Sequence, residues 1–221
     1  MTAATPAETV LFDVDGTLID SNGAHAQAWV DSLREHGISV GADQIRRLIG
    51  MGGDKLLAAV AHVNEHSELG QAITLRKKAI FETLLPGLQP TLGARALLEY
   101  LRDRGVTVVI ATSADDREMS ALLQRAGVSD LVPARTSKDD AQESKPDPDI
   151  VQAALAKAHA RPESSVMVGD TPYDIEAAAR SGIGAIALRC GGYWTDHSLR
   201  GAREIFDDPE ALLAFWRRLV S

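Results

Sequence analysis

Short apolar runs, each bounded by glycine, serine or acidic residues, recur along the chain and define the pattern of its core. Runs of this length, rich in valine and isoleucine, are typical of strands buried on both faces of a parallel sheet. Four of them predict strands over 9–14, 106–111, 165–168 and 183–188, and a weaker run predicts a fifth over 131–134. Helical patterns fill the gaps at 93–104, 116–126, 147–159 and 171–181. This alternation predicts an α/β fold whose parallel sheet carries helices on both faces.

The stretch from 18 to 91 breaks this alternation. It shows helical patterns at 25–36, 42–49, 54–64 and 68–84, with no convincing strand pattern among them. It follows the first predicted strand and ends near two prolines, Pro86 and Pro90. The sequence therefore predicts an α/β core domain formed by 1–17 and 92–221, with an all-α helical cap domain, 18–91, inserted into it.

Composition narrows the classes of function. Hydrophobic residues make up 45% of the 221 residues and charged residues 24%, which is typical of a globular chain. A net charge of −8 argues against nucleic acid as a partner, because binding to its phosphate backbone needs clustered lysine and arginine. We expect no membrane partner, since no apolar stretch approaches the roughly 20 residues that span a bilayer. One cysteine and no visible signal peptide predict a cytoplasmic protein, with a loose end over residues 1–8.

Two pairs of carboxylates follow predicted strands. Asp13 and Asp15 end the first strand, and Asp170 and Asp174 follow the third. Ligands bind beyond the carboxyl ends of strands in parallel sheets, and strand alternation turns residues two apart to one side. Carboxylates that converge there repel each other without a cation, and oxygen ligands of this kind suit Mg²⁺. The alternatives are an Asp-Gly turn for the first pair and a helix N-cap at Asp170 or Thr171.

Three further residues are suited to hold an anion. Thr112 and Ser113 end the second predicted strand, where a hydroxyl and backbone N–H groups can bind phosphate. Lys145 precedes Pro146 in a loop before a helix and offers a point charge. Each has a simpler explanation, namely a polar strand end, a helix cap or a solvated surface lysine. Together with the two carboxylate pairs, however, they supply every part of a phosphoryl-transfer site.

The ordered motifs resemble those of the haloacid dehalogenase superfamily over nearly the whole chain. DxDGT at 13–17 is the most specific of them, and GDxxxD at 169–174 is next. The resemblance implies a Rossmann-like three-layer core and a helical cap of the kind found in phosphoglycolate phosphatases and β-phosphoglucomutases. It also implies a Mg²⁺-dependent phosphatase that hydrolyses a small phosphorylated metabolite.

The resemblance assigns a role to each matching residue. Asp13 would attack phosphorus and form an aspartyl-phosphate, and Asp15 would protonate the leaving oxygen and then activate water. The phosphoryl group would be held by Thr112, Ser113 and Lys145. The Mg²⁺ ion would be held by Asp13, the carbonyl oxygen of Asp15 and Asp170, with Asp174 supporting the metal or the lysine.

Other functions remain open at this level. The segment 18–25 resembles the hinge of β-phosphoglucomutases, in which a histidine contacts the acid/base, so His25 is a candidate contact. Two departures favour a phosphatase over such a phosphosugar mutase. Those mutases carry Val where Thr17 stands and Glu where Gly169 stands. Their cap loop also presents an arginine, where 50–55 here is glycine-rich and Gly53 is a candidate substrate contact.

Two more distant alternatives are weaker. The dehalogenases of the superfamily lack a second aspartate in the first motif, whereas Asp15 is present here. A phosphate-accepting, receiver-like binding module would also combine acidic residues, a Thr or Ser and a Lys on a parallel sheet. Such modules are about half this length and lack the helical insert.

Overall fold

The computed structural model describes residues 7–220, and within them six parallel strands form one sheet in the order β5-β4-β1-β6-β7-β8. Its strands are β1 (Thr9–Phe12), β4 (Thr107–Ala111), β5 (Ala134–Thr136), β6 (Ser165–Gly169), β7 (Gly184–Leu188) and β8 (Glu204–Phe206). Two short strands, β2 (Ile19–Asp20) and β3 (Gln89–Pro90), pair antiparallel in a separate ribbon. The predicted α/β fold with a parallel sheet is confirmed.

The helices of this part of the chain fall into two groups. Those of the insert are α1 (Asn22–Glu35), α2 (Ala42–Arg46), α3 (Gly53–Ala61) and α4 (Glu68–Leu84). Those that accompany the sheet are α5 (Ala94–Asp103), α6 (Asp116–Arg125), α7 (Asp149–Lys157), α8 (Pro172–Arg180) and α9 (Pro209–Val220). None of the helices within residues 7–220 is long and apolar enough to cross a bilayer.

The buried side chains form layers on both faces of the sheet. Val10 and Phe12 of β1 pack into one apolar cluster, whereas Leu11 packs into the cluster on the opposite face. This follows from strand alternation and produces the three-layer, Rossmann-like core that the resemblance implied. A third cluster, which includes Trp29 and Leu57, lies within the insert. The helices of the insert thus have an apolar cluster of their own, and the domain limits at 18–91 stay a prediction.

The structure differs from the sequence prediction at several elements. The fifth strand begins at Ala134 rather than 131, because Pro133 has no N–H to donate to a ladder. The insert is not wholly helical, since its ends pair as β2 and β3. Neither β8 nor α9 was predicted from the sequence, and β8 is a three-residue edge strand that begins with an exposed Glu204.

The predicted loose end is wrong at Glu8. Residues 1–6 lie outside the described residues. Glu8, however, joins the sheet, since its N–H donates to the Ser164 carbonyl at 2.8 Å and its carbonyl accepts from the Thr107 N–H at 2.9 Å.

Candidate active site

The carboxyl ends of three adjacent strands bring the predicted functional residues together. Because β1 lies between β4 and β6, the residues just past each strand, Asp13, Thr112 and Asp170, meet at one edge of the sheet. A cavity of about 240 Å³ opens between this edge and the insert. Asp13, Asp15, Thr112 and Ser113 line its sheet side. Residues far apart in sequence thus share one cavity.

Lys145 lies in the loop between β5 and α7, and its side chain is 0% exposed. Its Nζ donates to Asp13 Oδ1 at 2.6 Å and to Asp174 Oδ1 at 2.8 Å. Burial alone lowers the pKa of Lys145, but the two carboxylates outweigh burial and raise that pKa above its ordinary value. The lysine is therefore a fixed positive charge beside Asp13, and the alternative of a solvated surface lysine is wrong.

Asp174, in the first turn of α8, holds Lys145 from the opposite side. Its second oxygen, Oδ2, accepts from the Thr171 N–H at 3.0 Å and from the Thr171 hydroxyl at 2.7 Å. Thr171 is the N-cap of α8, so the capping alternative is confirmed at that residue. Both oxygens of Asp174 have partners, and the capping turn fixes the aspartate that positions the lysine.

Asp15 turns its carboxylate towards the start of the insert. Its Oδ1 is 2.8 Å from His25 Nε2 and accepts from the Ser21 hydroxyl at 2.5 Å. Burial raises the pKa of Asp15, but the neighbouring His25 and the Ser21 hydrogen bond outweigh it, and the pKa lies below its ordinary value. The His25 ring stacks on Phe81 of α4, with centroids 3.9 Å apart. The predicted contact between His25 and Asp15 is therefore present.

Asp13, Asp170 and Asp174 form a cluster of buried carboxylates. One oxygen from each lies within 4.8 Å of the others. Burial raises the pKa of Asp13 to about 8, against the opposing charge of Lys145. Burial and the charges of its two neighbours raise the pKa of Asp170 well above its ordinary value. The chain therefore places three carboxylates in a buried position, where their ionised forms are energetically unfavourable without a cation.

The surroundings of Asp170 are tightly packed. Its oxygens accept from the Thr17 hydroxyl at 3.2 Å and the Asn22 amide at 2.8 Å. A Cβ on Gly191 would lie 1.7 Å from Asp170 Oδ2, so only glycine fits beside this carboxylate. The three clustered carboxylates of Asp13, Asp170 and Asp174 are oxygen donors that suit a hard divalent cation. Asn22 was missed by the sequence analysis because no motif marks its position.

Thr112 and Ser113 lie at the end of β4, as predicted. The Thr112 hydroxyl is buried and accepts from the Ala114 N–H at 3.2 Å. The Ser113 hydroxyl oxygen is buried and has no hydrogen-bond partner among the described residues. A local turn thus forms at the strand end, and it leaves the cavity lined by polar groups.

The insert closes the other side of the cavity. Gly53 and Met51 from the glycine-rich loop line it, together with His25 and two lysines of α4, Lys77 and Lys78. Four other basic residues of the insert do not line it: Arg46, Arg47, Lys55 and Arg76. A core lysine, Lys138, does line it and was not predicted.

Comparison with known proteins assigns the family. Residues 7–182 match the family of haloacid dehalogenase-like hydrolases, as the motifs predicted. Because the match spans most of the chain, this protein belongs to that family of hydrolases.

Individual relatives agree with this assignment. The chain is 28% identical to a phosphoglycolate phosphatase from Pseudomonas putida, over 92% of this chain and 78% of that protein. It is 26% identical to a phosphorylated carbohydrates phosphatase from Thermotoga maritima, over 90% of each chain. A crystal structure of a hydrolase from Pseudomonas syringae superposes with a TM-score of 0.89 at 28% identity, covering 95% of this chain and 98% of the other.

Proposed function

We propose that this hydrolase is a Mg²⁺-dependent phosphatase that cleaves a small phosphate monoester through an aspartyl-phosphate. One observation carries the proposal. The carboxylates of Asp13 and Asp15 line the same cavity, Asp13 beside a fully buried Lys145 and Asp15 against His25. The sheet edge thus supplies a carboxylate next to a fixed cation and a second carboxylate that can exchange a proton. The phosphatase names of the relatives support the same reaction class.

The proposed reaction has two steps. In the first, an Asp13 oxygen attacks phosphorus, the bond to the leaving oxygen breaks, and Asp15 donates a proton to that oxygen. In the second, Asp15 accepts a proton from water as the water attacks the aspartyl-phosphate, which releases phosphate and restores Asp13. A carboxylate nucleophile divides one difficult hydrolysis into two easier steps. Lys145, Thr112 and the backbone of Ser113 would hold the phosphoryl oxygens in both steps.

The clustered carboxylates fit a Mg²⁺ ion. As the resemblance implies, Asp13, Asp170 and the carbonyl oxygen of Asp15 would hold it, and Asp174, which accepts from Lys145 and Thr171, would support the lysine. When bound, the ion would neutralise charge on the phosphoryl oxygens and between the aspartates. A cytoplasmic location, expected from the composition, stays a prediction.

A phosphosugar mutase is the second candidate, and the contact between His25 and Asp15 favours it. Against it, Thr17, which stands where those mutases carry Val, donates to Asp170. The two candidates differ in product. A mutase would interconvert sugar phosphates after priming with a bisphosphate and release little phosphate, whereas the phosphatase would release phosphate in step with substrate loss. The family match favours either enzyme over a receiver-like binding module.

The substitution Asp13→Asn tests the phosphatase. We expect it to abolish hydrolysis of an aryl phosphate in Mg²⁺ while leaving the circular dichroism spectrum unchanged. Asp103→Asn, at an exposed carboxylate paired with Arg102, is the matched control and should retain full activity. Activity retained in Asp13→Asn would refute the assigned nucleophile. Activity that persists after removal of divalent cations would refute the proposed requirement for Mg²⁺.

A further inference from the structure

The insert side of the cavity carries an ion pair that no motif predicts. Lys77 on α4 is 6% exposed, and its Nζ donates to Glu118 Oε2 on α6 at 3.1 Å. The same Nζ lies 4.9 Å from the centroid of the Phe81 ring and 5.8 Å from that of Trp29. Both Lys77 and Glu118 line the cavity. Lys77 is thus already neutralised by a carboxylate from the core.

The other two lysines of the cavity are balanced in the same way. Lys78 is paired with Asp115 of the core, and Lys138 lies 3.1 Å from Glu65 of the insert. Asp139 adds a further carboxylate to the lining. Among the described residues, each of the three lysines that line the cavity is therefore paired with a carboxylate. The part of the cavity that would hold the leaving group has no excess of positive charge.

This balance limits what the cavity can accept. A leaving group that carries a carboxylate could pair with Lys77 only by displacing Glu118, which would leave the part-buried Glu118 carboxylate unpaired. If Glu118 stayed paired with Lys77, the carboxylate of the leaving group would be unpaired instead. Either outcome is unfavourable, since a charge removed from water needs a partner. An uncharged leaving group meets no such penalty. It would lie against apolar side chains of the insert, Trp29, Met51 and Leu56.

We propose that the cavity selects phosphate monoesters with an uncharged leaving group, and that Glu118 sets this preference by neutralising Lys77. The inference rests on the proposed phosphatase function and names its substrate class. Glu118 is a specificity residue here, since it acts through the charge of Lys77 and not on the reacting atoms.

Two probes that differ at one carbon test this preference. Glycerol 3-phosphate carries a CH₂OH group where 3-phosphoglycerate carries a carboxylate. Each probe is added as a competitive inhibitor of aryl phosphate hydrolysis in Mg²⁺, and the inhibition constant is measured. Inhibition also detects a probe that binds without being hydrolysed. In the wild type we expect glycerol 3-phosphate to compete at least about tenfold better, and Glu118→Gln to reduce that ratio about tenfold by freeing Lys77.

Glu82→Gln is the matched control. Glu82 also joins the insert to the core, through Arg117 at 2.8 Å, but neither residue lines the cavity. The ratio should be unchanged in this variant. Equal competition by both probes in the wild type, no competition by either, or an equal shift in Glu82→Gln would each overturn the inference while aryl phosphate hydrolysis still supports the phosphatase. Absence of aryl phosphate hydrolysis would overturn both.

Discussion

Gly52→Ala should separate the insert from the core at the active site. Gly52 is the N-cap of α3, with φ −65° and ψ 155°, a conformation that alanine adopts without strain. Its effect is therefore steric. A Cβ at Gly52 would lie 2.0 Å from the Ser144 hydroxyl oxygen and 2.3 Å from Ser144 Cβ. The hydroxyl can rotate away, but the Ser144 Cβ can move only with its backbone.

The size of the effect follows from these distances. Ordinary contact between carbon atoms begins at about 3.5 Å, so the two segments must move apart by roughly 1 Å. Ser144 immediately precedes Lys145, so the displacement reaches the cation beside Asp13 or moves the whole insert loop. A 1 Å misplacement can cost about 100-fold in rate. We expect kcat/KM to fall by about that factor, with a loss of about 1–3 kcal/mol in the free energy of unfolding.

Gly41→Ala separates this clash from the change in capping. Gly41 is also an N-cap of an insert helix, α2, with φ −69° and ψ 142°. A Cβ there would meet only the Gln44 side chain, at 3.5 Å. The assay is aryl phosphate hydrolysis in Mg²⁺ together with urea denaturation of both variants. If Gly52→Ala and Gly41→Ala had the same kcat/KM, the close approach of the insert to Ser144 would not matter for catalysis.

Three further predictions concern the charges of the site. Lys145→Met should lower the free energy of unfolding by about 3 kcal/mol in urea denaturation, because Asp13 and Asp174 lose their shared buried cation; an unchanged value would contradict this. The pKa of Asp13 is 3.8 in the unfolded chain and about 8 in the folded chain, so between these pH values the folded chain holds a proton that the unfolded chain has released. The metal-free protein should therefore lose stability as pH rises through that range. The Mg²⁺-induced increase in Tm should accordingly be larger near the upper end of the range, and an increase that does not vary with pH would contradict the reasoning. His25→Ala should raise the pKa of Asp15 and lower kcat about tenfold, with the pH-rate profile displaced to higher pH; an unshifted profile would show that His25 does not tune the acid.

The strand-end residues were predictable because their positions follow from topology. Once a parallel sheet is inferred, residues just after its strands must meet at one edge, so Asp13, Thr112 and Asp170 needed no further information. The pairing of Lys77 with Glu118 was not predictable in this way. The two residues are 41 positions apart, and their contact depends on how α4 lies over α6. Sequence periodicity identifies each helix but not the orientation of one helix against another.

Lys145 shows a different limit of sequence reasoning. A lysine in a loop flanked by prolines is usually solvated, and only the three-dimensional structure shows this one fully buried. Its burial depends on the charge around it. Asp13, Asp170 and Asp174 together would carry three negative charges within 4.8 Å, and Lys145 offsets one of them. The deficit that remains equals the charge of one divalent cation. The raised pKa values of Asp13 and Asp170 indicate that protons fill this deficit in the metal-free chain, so protons and Mg²⁺ should compete for the same site.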